Sequence, residues 1–210
     1  MINVFEPEVS IKHYRQIYKT LRNKELSGSS QIVQKFEQNI ANYFDREFCL
    51  STSNGSTSLD LALNCFDFDK GDEVIIPSFT IISCLAAVVR SGATPVFCDV
   101  DIDTWNMTLD NLKSAVSEKT KAVLMVHTYG LAAEADLIYD YCKKKGLILI
   151  EDSAEAHGQI VENKKCGSFG DISTLSFYAN KHITTGEGGA VLTDDKHLFK
   201  KLQQMKNLDF

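Results

Sequence analysis

The sequence predicts an α/β protein with a mostly parallel central sheet that is flanked by helices. Short apolar segments alternate with segments of helical periodicity, as in chains of repeated strand and helix units. The apolar segments are continuously apolar, which is typical of strands covered on both faces. Glycines fall between the segments, where turns and helix ends use them: Gly71, Gly92, Gly130 and Gly146.

Two helices are predicted first, at residues 10–26 and 31–44, because apolar residues recur three and four positions apart in both. A polar break at residues 27–30 separates them. A short strand follows at 48–51, and further strands are predicted at 73–76, 94–98, 122–126 and 147–150. Helical patterns near 56–67, 79–90, 108–117 and 133–145 connect these strands.

The composition narrows the class of protein. With 210 residues, 44% of them hydrophobic, the chain can bury a substantial core. A formal net charge of −6 and the lack of a basic cluster argue against nucleic acid or a membrane as partner. Six cysteines lie far apart without a Cys-x-x-Cys pair, so we expect reduced core thiols and no metal site. The N-terminus lacks the features of a signal peptide, which favours a cytoplasmic protein.

The stretch from Phe177 to Gly189 places Lys181 after an apolar run and before a glycine-rich turn. A lysine with few solvating neighbours can lose its proton near neutral pH and attack an aldehyde, as a Schiff-base lysine does. A surface lysine in a loop fits this stretch alone about equally well.

Asp152 follows the apolar run 147–150, so its carboxylate emerges at the carboxyl end of a buried strand. Open α/β sheets bind ligands at this edge. An acid there requires a cation or hydrogen-bond donors, and a protonated pyridine nitrogen is a suitable partner. The alternative is that Asp152 only caps the next segment.

Residues 53–58, Ser-Asn-Gly-Ser-Thr-Ser, follow a short strand and open a helix. Backbone N–H groups, hydroxyls and the helix dipole then converge, which suits a phosphate dianion. A plain serine-rich N-cap is the alternative. The Walker sequence and the Gly-x-Gly-x-x-Gly fingerprint are both absent, which disfavours those nucleotide sites.

Together these pieces describe a phosphate cradle, an acid for a ring nitrogen and a lysine for an aldehyde. Pyridoxal 5'-phosphate (PLP) is the cofactor that requires all three.

The sequence resembles the DegT family of sugar aminotransferases, which are fold type I PLP enzymes of the aspartate aminotransferase superfamily. The matching stretches are SNGST at 53–57, GDEVIIPSFT at 71–80, GATPVF at 92–97, VHTYG at 126–130, EDSAEAHG at 151–158, GSFGD at 167–171 and FYANKHITTGEGG at 177–189. Within the family, residues 104–107 and the glutamate at position 155 resemble the GDP-perosamine synthase group.

The resemblance implies roles at the reacting end of the cofactor. Lys181 is the catalytic residue, which binds the cofactor aldehyde covalently and moves a proton between cofactor and substrate. Asp152 pairs with the pyridinium nitrogen. Glu155 lies near the phenolic oxygen of the ring, where it has to share a proton with that oxygen because two anions in contact repel.

The resemblance also implies cofactor contacts at the phosphate and at the ring face. Ser56 and Thr57 hold the phosphate together with Ser176, and Gly55 allows close approach. Ile81 occupies the position where many relatives place an aromatic residue over the ring, so the contact in this chain is aliphatic.

The resemblance further implies an aminotransferase that moves an amino group from glutamate to a nucleotide-linked 4-keto-6-deoxy sugar, for surface polysaccharides such as O-antigen. We expect a homodimer. Residues 1–210 correspond to the N-terminal segment and an incomplete PLP-binding large domain, with the C-terminal small domain absent.

Three alternatives stay open. The chain is a truncated or split half that binds cofactor without turnover of its own, or it is a PLP-dependent sugar dehydratase. In relatives that dehydrate, histidine replaces the lysine, so Lys181 disfavours this reading. The third is a Rossmann-like nucleotide-binding module, for which no glycine fingerprint exists.

Overall fold

A computed structural model describes residues 7–207 of the chain. Seven α-helices are present in this range: α1 (Ile11–Arg22), α2 (Gln31–Tyr43), α3 (Gly55–Asn64), α4 (Ile82–Arg90), α5 (Leu109–Ala115), α6 (Ala135–Lys145) and α7 (Lys196–Asn207). The strands are β1 (Phe48–Thr52), β2 (Glu73–Pro77), β3 (Thr94–Cys98), β4 (Thr120–Val126), β5 (Ile148–Asp152), β6 (Ile160–Val161), β7 (Lys164–Lys165), β8 (Ile172–Ser176) and β9 (Gly189–Thr193). The extreme N-terminus, on which the predicted location rests, and the end of the predicted domain at 210 lie outside the described residues.

Seven strands form one sheet in the order β1-β9-β8-β5-β4-β2-β3. The pairs β2–β3, β2–β4, β4–β5 and β5–β8 are parallel, whereas β9 is antiparallel to both of its neighbours. Strands β1 and β8 therefore run in the same direction as the other parallel strands. The predicted fold class, α/β with a mostly parallel sheet, is confirmed.

Helices cover both faces of this sheet. On one face the apolar sides of α3, α4 and α7 pack against buried strand residues such as Val74, Leu124 and Ile150. On the other face, Leu112 of α5 and Ile138 of α6 pack in a second cluster. A smaller cluster joins α2 to β1, β8 and β9. Burial on both faces explains why the strands are continuously apolar.

Several elements differ from the predicted ones. The predicted helix at 10–26 is shorter, because α1 ends at Arg22 and Lys24 has a left-handed backbone (φ 59°). Helix α4 begins at Ile82 rather than at 79, since Ile81 has an extended backbone. Strands β8 and β9, the hairpin β6–β7 and helix α7 were not predicted.

The six cysteines are all buried and free, as expected for reduced core thiols. None of the helices in the described part of the chain combines the length and the apolar character that crossing a bilayer requires.

Candidate active site

A cavity of about 690 Å³ opens at the edge of the sheet where the parallel strands end. This volume is in the range of small-molecule sites, about 300–1,000 Å³. The lining residues come from the segments that follow β1, β2, β4, β5 and β8: Asn54, Gly55, Ser56, Leu59, Phe79, Thr80, Ile81, Ser83, Val126, His127, Thr128, Tyr129, Asp152, Ala154, Glu155, Ser176, Tyr178, Asn180, Lys181 and Glu187. Strand direction thus explains why distant parts of the sequence meet here.

Lys181 lies in the loop between β8 and β9, and its side chain is only 15% exposed. Its Nζ donates to Glu155 Oε1 at 2.8 Å. The other oxygen of Glu155 accepts the backbone N–H of Tyr129, also at 2.8 Å. Glu155 therefore positions the lysine amine and the loop after β4 at the same time.

Asp152 is the last residue of β5 and is almost completely buried. Its Oδ1 accepts the backbone N–H of Ala154 at 3.0 Å and the hydroxyl of Thr174 at 3.4 Å. Its Oδ2 faces only the thiol of Cys84, at 3.5 Å, among the described residues. Burial raises the pKa of Asp152, against the opposing effects of the Ala154 N–H, Cys84, His127 and Lys181. One oxygen is thus anchored, and the other is free to meet a cationic ligand atom.

Helix α3 begins at the cavity and is capped by Asn54. The side chain of Asn54 accepts the backbone N–H of Thr57 at 2.8 Å and its hydroxyl at 3.0 Å. A Cβ at Gly55 would lie 2.9 Å from the Cβ of Ser176, so only glycine fits there without displacing β8. The first turn of α3 and the end of β8 therefore approach each other closely.

Two hydroxyls join the first turns of α3 and α4. Ser56 Oγ lies 2.7 Å from Ser83 Oγ, and both residues line the cavity. The Ile81 side chain does not cap α4. Two helix N-termini, each with a positive dipole end, thus converge beside Ser176 in a cradle that suits a phosphate.

The structure brings seven of the eight predicted site residues to this cavity; Thr57 is the exception. The lining set contains Gly55, Ser56, Ile81, Asp152, Glu155, Ser176 and Lys181. The hydroxyl of Thr57 faces Asn54 and Ser53 instead, so Thr57 acts on the helix cap. Ser83 was not predicted, because it is the single serine of α4 and no local pattern distinguishes it.

A buried carboxylate next to Asp152 organises the structure beneath the site. Both oxygens of Glu151 accept hydrogen bonds, six in all: from His127 Nε2, the Ser153 and Ser173 hydroxyls and the backbone of Gly167, Phe169 and Gly170. Burial opposes ionisation of Glu151, but the hydrogen bonds from His127 and the backbone outweigh it and lower its pKa to about 2. Since His127 Nδ1 accepts the Ala133 N–H at 3.1 Å, the ring proton is on Nε2 and points at Glu151.

His127, Glu151 and Cys166 place three possible metal-ligand atoms within 4.8 Å of one another. Because both oxygens of Glu151 and both nitrogens of His127 already have hydrogen-bond partners, a metal ion would have to displace several of them. The cluster therefore fits a structural role. The expected lack of a metal site stays a prediction.

The chemistry of these side chains fits PLP. The free Oδ2 of Asp152 suits a ring N–H, the amine of Lys181 suits an aldehyde, and the hydroxyls of Ser56, Ser83 and Ser176 suit a phosphate. Lys181 and Asp152 also lie close enough for the lysine charge to lower the pKa of the acid.

Proteins of related sequence align with almost the whole of this chain. GDP-perosamine synthase of Escherichia coli O157:H7 is 39% identical over 205 residues, which cover 98% of this chain and 56% of that protein. GDP-perosamine synthase of Vibrio cholerae is 36% identical over 207 residues, covering 99% of this chain and 56% of that protein. The chain thus spans little more than half the length of these relatives.

Solved structures show the same architecture. The aminotransferase from Psychrobacter cryohalolentis superposes with a TM-score of 0.91 at 35% identity, over 96% of this chain and 51% of that chain. E. coli GDP-4-keto-6-deoxy-D-mannose-3-dehydratase with bound hydrated PLP superposes with a TM-score of 0.92 at 30% identity, over 97% of this chain and 54% of that chain. The family model of the DegT/DnrJ/EryC1/StrS aminotransferases matches residues 9–209, and the chain belongs to that family.

Proposed function

We propose that this chain is the cofactor-binding part of a PLP-dependent aminotransferase. It transfers an amino group from glutamate to a nucleotide-linked 4-keto-6-deoxy sugar, as a GDP-perosamine synthase does. The observation that carries the proposal is a single cavity in which Lys181, Asp152 and a hydroxyl cradle meet.

When bound, PLP supplies an aldehyde that condenses with amines and a ring that accepts the electron pair of a broken C–H bond. Asp152 would hold the ring N–H and keep the nitrogen protonated, since its burial makes an unpaired negative charge costly. Lys181 would provide the amine for the aldehyde, and its Nζ would hold and move a proton. Before cofactor binds, Glu155 holds this amine in position at 2.8 Å.

The remaining predicted residues orient the cofactor. Ser56 and Ser176 would bind the phosphate at the α3 N-terminus, which Gly55 allows to approach Ser176 closely. Thr57 supports this cradle through the Asn54 cap. Ile81 offers an aliphatic contact for the ring, and its side chain is exposed towards the cavity.

The substrate assignment rests on the relatives. GDP-perosamine synthases are 36–39% identical to this chain, and a related dehydratase has been solved with bound GDP-perosamine. A role in surface polysaccharide synthesis, a homodimer and a cytoplasmic location accompany this proposal. Residues 1–210 are accordingly proposed as an incomplete large domain without the small domain.

Cofactor binding is tested by incubating the purified chain with PLP and recording the visible absorption of lysine-bound cofactor. Borohydride reduction should fix the cofactor on the peptide that contains Lys181, as read by mass spectrometry. Lys181→Ala should abolish both signals, whereas Lys119→Ala, at an exposed lysine, should keep them. A wild-type chain without the band would contradict the proposal.

Turnover is tested with glutamate and a GDP-linked 4-keto-6-deoxy sugar. An amino sugar and 2-oxoglutarate are the expected products. A deoxygenated keto sugar would indicate the dehydratase instead, which structural similarity to dehydratases keeps as the second candidate. If the band forms without turnover, and a separately produced C-terminal half restores turnover, the chain is one half of a split enzyme.

A further inference from the structure

Three exposed aromatic side chains form a cluster at the mouth of the cavity. Phe79, Trp105 and Tyr129 are 41%, 50% and 71% exposed, although side chains of this size are usually well buried. Their ring centroids are 5.4–6.2 Å apart, and the ring planes are inclined by 62–69° to one another. Phe79 and Tyr129 line the cavity itself, and Trp105 contacts both.

Two of these residues have a backbone conformation that bulky residues rarely adopt. Trp105 has φ 58° and Tyr129 has φ 53°, both in the left-handed region. Because the rings are exposed, little burial offsets this strain. Strain that packing does not explain is found at functional sites, where it presents a side chain for binding.

Hydrogen bonds accepted by Asp101 and Glu155 hold both strained segments in place. Asp101 Oδ1 accepts the N–H of Thr104 at 2.8 Å, and the Asp101 carbonyl accepts the N–H of Trp105 at 2.8 Å. Glu155 accepts the N–H of Tyr129 while it also binds Lys181. The backbone at both rings is therefore held by hydrogen bonds, and the backbone of Tyr129 is linked to the amine of Lys181 through the single side chain of Glu155.

We propose that Phe79, Trp105 and Tyr129 are a stacking subsite for the heteroaromatic base of a nucleotide-linked substrate. This proposal rests on the proposed function and adds to it the place where the nucleotide binds. Inclined, exposed aromatic rings offer free π-faces, and base stacking on such faces tolerates different bases. Continuity with the cavity favours a ligand that extends from the lysine to the rings.

The chain contains a single tryptophan, so its fluorescence reports on this cluster alone. GDP, UDP and dTDP are titrated separately into the chain without cofactor, with excitation selective for tryptophan. We expect saturable quenching by at least one of them, and the strongest quencher identifies the preferred base. Inorganic diphosphate should leave the emission unchanged, because it lacks a ring.

Variants separate stacking from other contacts, with affinities measured by calorimetry. Trp105→Ala and Tyr129→Asn should each weaken binding of the preferred nucleotide about 5-fold to 100-fold. Asparagine tolerates the left-handed backbone, so Tyr129→Asn removes the ring without unfolding the loop. Tyr18→Ala, at a similarly exposed ring on α1 outside the cavity lining, is the matched control and should bind normally.

The failures of the two proposals are distinguishable on one preparation. If the absorption band of lysine-bound cofactor forms but no nucleotide quenches or binds, the stacking subsite is wrong and the cofactor chemistry stands. Emission that changes on dilution but not with nucleotide would identify a contact between two copies and would also overturn the proposal. Quenching by diphosphate alone would place the effect outside the rings.

Discussion

At the scale of single residues, the two oxygens of Asp152 have different tasks. Oδ1 is fixed by Ala154 and Thr174, while Oδ2 has only the weak thiol donor of Cys84 among the described residues. Such an acid lowers the stability of the chain without ligand, but it provides a contact for a cationic ligand atom. Conflicts of this kind between stability and function are common.

Asp152→Asn should therefore make the chain without cofactor more stable at neutral pH. The pKa of Asp152 is raised above 3.8 in the folded state, so the folded protein holds this proton more tightly than the unfolded chain. Its contribution to stability is present below 3.8 and is lost as the pH rises through the raised pKa. The melting temperature of Asp152→Asn should exceed that of wild type by a margin that grows between pH 4 and pH 7, as measured by calorimetry in matched buffers.

The same substitution should weaken PLP binding by roughly 10-fold or more, because a hydrogen bond to a charged group is worth about 1.5–3 kcal/mol. Absorption titration gives this affinity. Equal melting curves and equal PLP affinity in the two proteins would show that Asp152 does not face the ligand.

Glu151→Gln should destabilise the fold strongly. Its carboxylate accepts six hydrogen bonds in a fully buried position, and a glutamine would direct its own N–H groups at some of those donors. We expect a loss of about 3 kcal/mol in the free energy of unfolding at pH 7. Urea denaturation measures it.

The contribution of Glu151 to stability depends on pH with the opposite sign to that of Asp152. Because the pKa of Glu151 is lowered from 4.5 to about 2, its contribution is complete above 4.5 and is lost as the pH falls towards 2. The difference between wild type and Glu151→Gln should therefore shrink in acid. Glu118→Gln, at an exposed glutamate, should change little. A loss of similar size in that control would refute this explanation.

Residues at strand ends could be predicted, whereas residues defined by long-range contacts could not. Asp152 follows an apolar run, so the sequence indicates its place at the sheet edge, whereas an apolar run and a glycine-rich turn indicate Lys181 without placing it on the sheet. Ser83 belongs to the site because its hydroxyl contacts that of Ser56, 27 positions earlier in the chain. Trp105 belongs to the aromatic cluster because it contacts rings on two other loops. No local pattern contains this information.

At the scale of elements, the cradle depends on the approach of two helices. The first turns of α3 and α4 meet at the Ser56–Ser83 hydroxyl pair, so their positive dipole ends act on the same space. We expect a phosphate there to receive donors from both helices and from Ser176 of β8.

Ser83→Ala should weaken PLP binding about 3-fold to 10-fold, the effect of one lost hydrogen bond of about 0.5–1.5 kcal/mol. Inorganic phosphate should also compete less well with PLP in the variant, which assigns the loss to the phosphate and not to the ring. Fluorescence or absorption titration measures both quantities.

Ser78→Ala is the matched control, since Ser78 is exposed near the end of β2 but does not line the cavity. Its affinities should equal those of wild type. If Ser83→Ala weakens PLP binding without changing competition by phosphate, Ser83 acts elsewhere than in the cradle.

The elements themselves were predictable to different degrees. Strand β3 has the predicted bounds 94–98, and β1, β2, β4 and β5 agree with their predicted bounds within two residues at either end, because continuous apolar runs mark strands buried on both faces. Strand β8 contains serine and threonine at buried positions, and β9 begins with glycine, which obscures the pattern. The two-residue strands of the β6–β7 hairpin are too short for any periodicity.

At the scale of the whole molecule, one sheet edge collects every residue of the proposed chemistry, and helix α1 exposes a further set of apolar side chains outside the cavity lining. Helix α1 has no buried residue, yet its apolar side chains follow helical spacing: Ile11, Tyr14, Ile17, Tyr18 and Leu21. An exposed apolar stripe of this kind favours self-association in water.

We expect the 210-residue chain to associate reversibly with increasing concentration, and Ile17→Lys should reduce this association without lowering the melting temperature. A charge within the stripe makes its burial costly, whereas Ile17 contributes little to the core because it is 58% exposed. Sedimentation velocity over a concentration series measures the effect. Gln16→Lys adds the same charge on the opposite side of α1 and should associate like wild type. If both variants reduce association equally, net charge is the cause and the α1 stripe is not the contact.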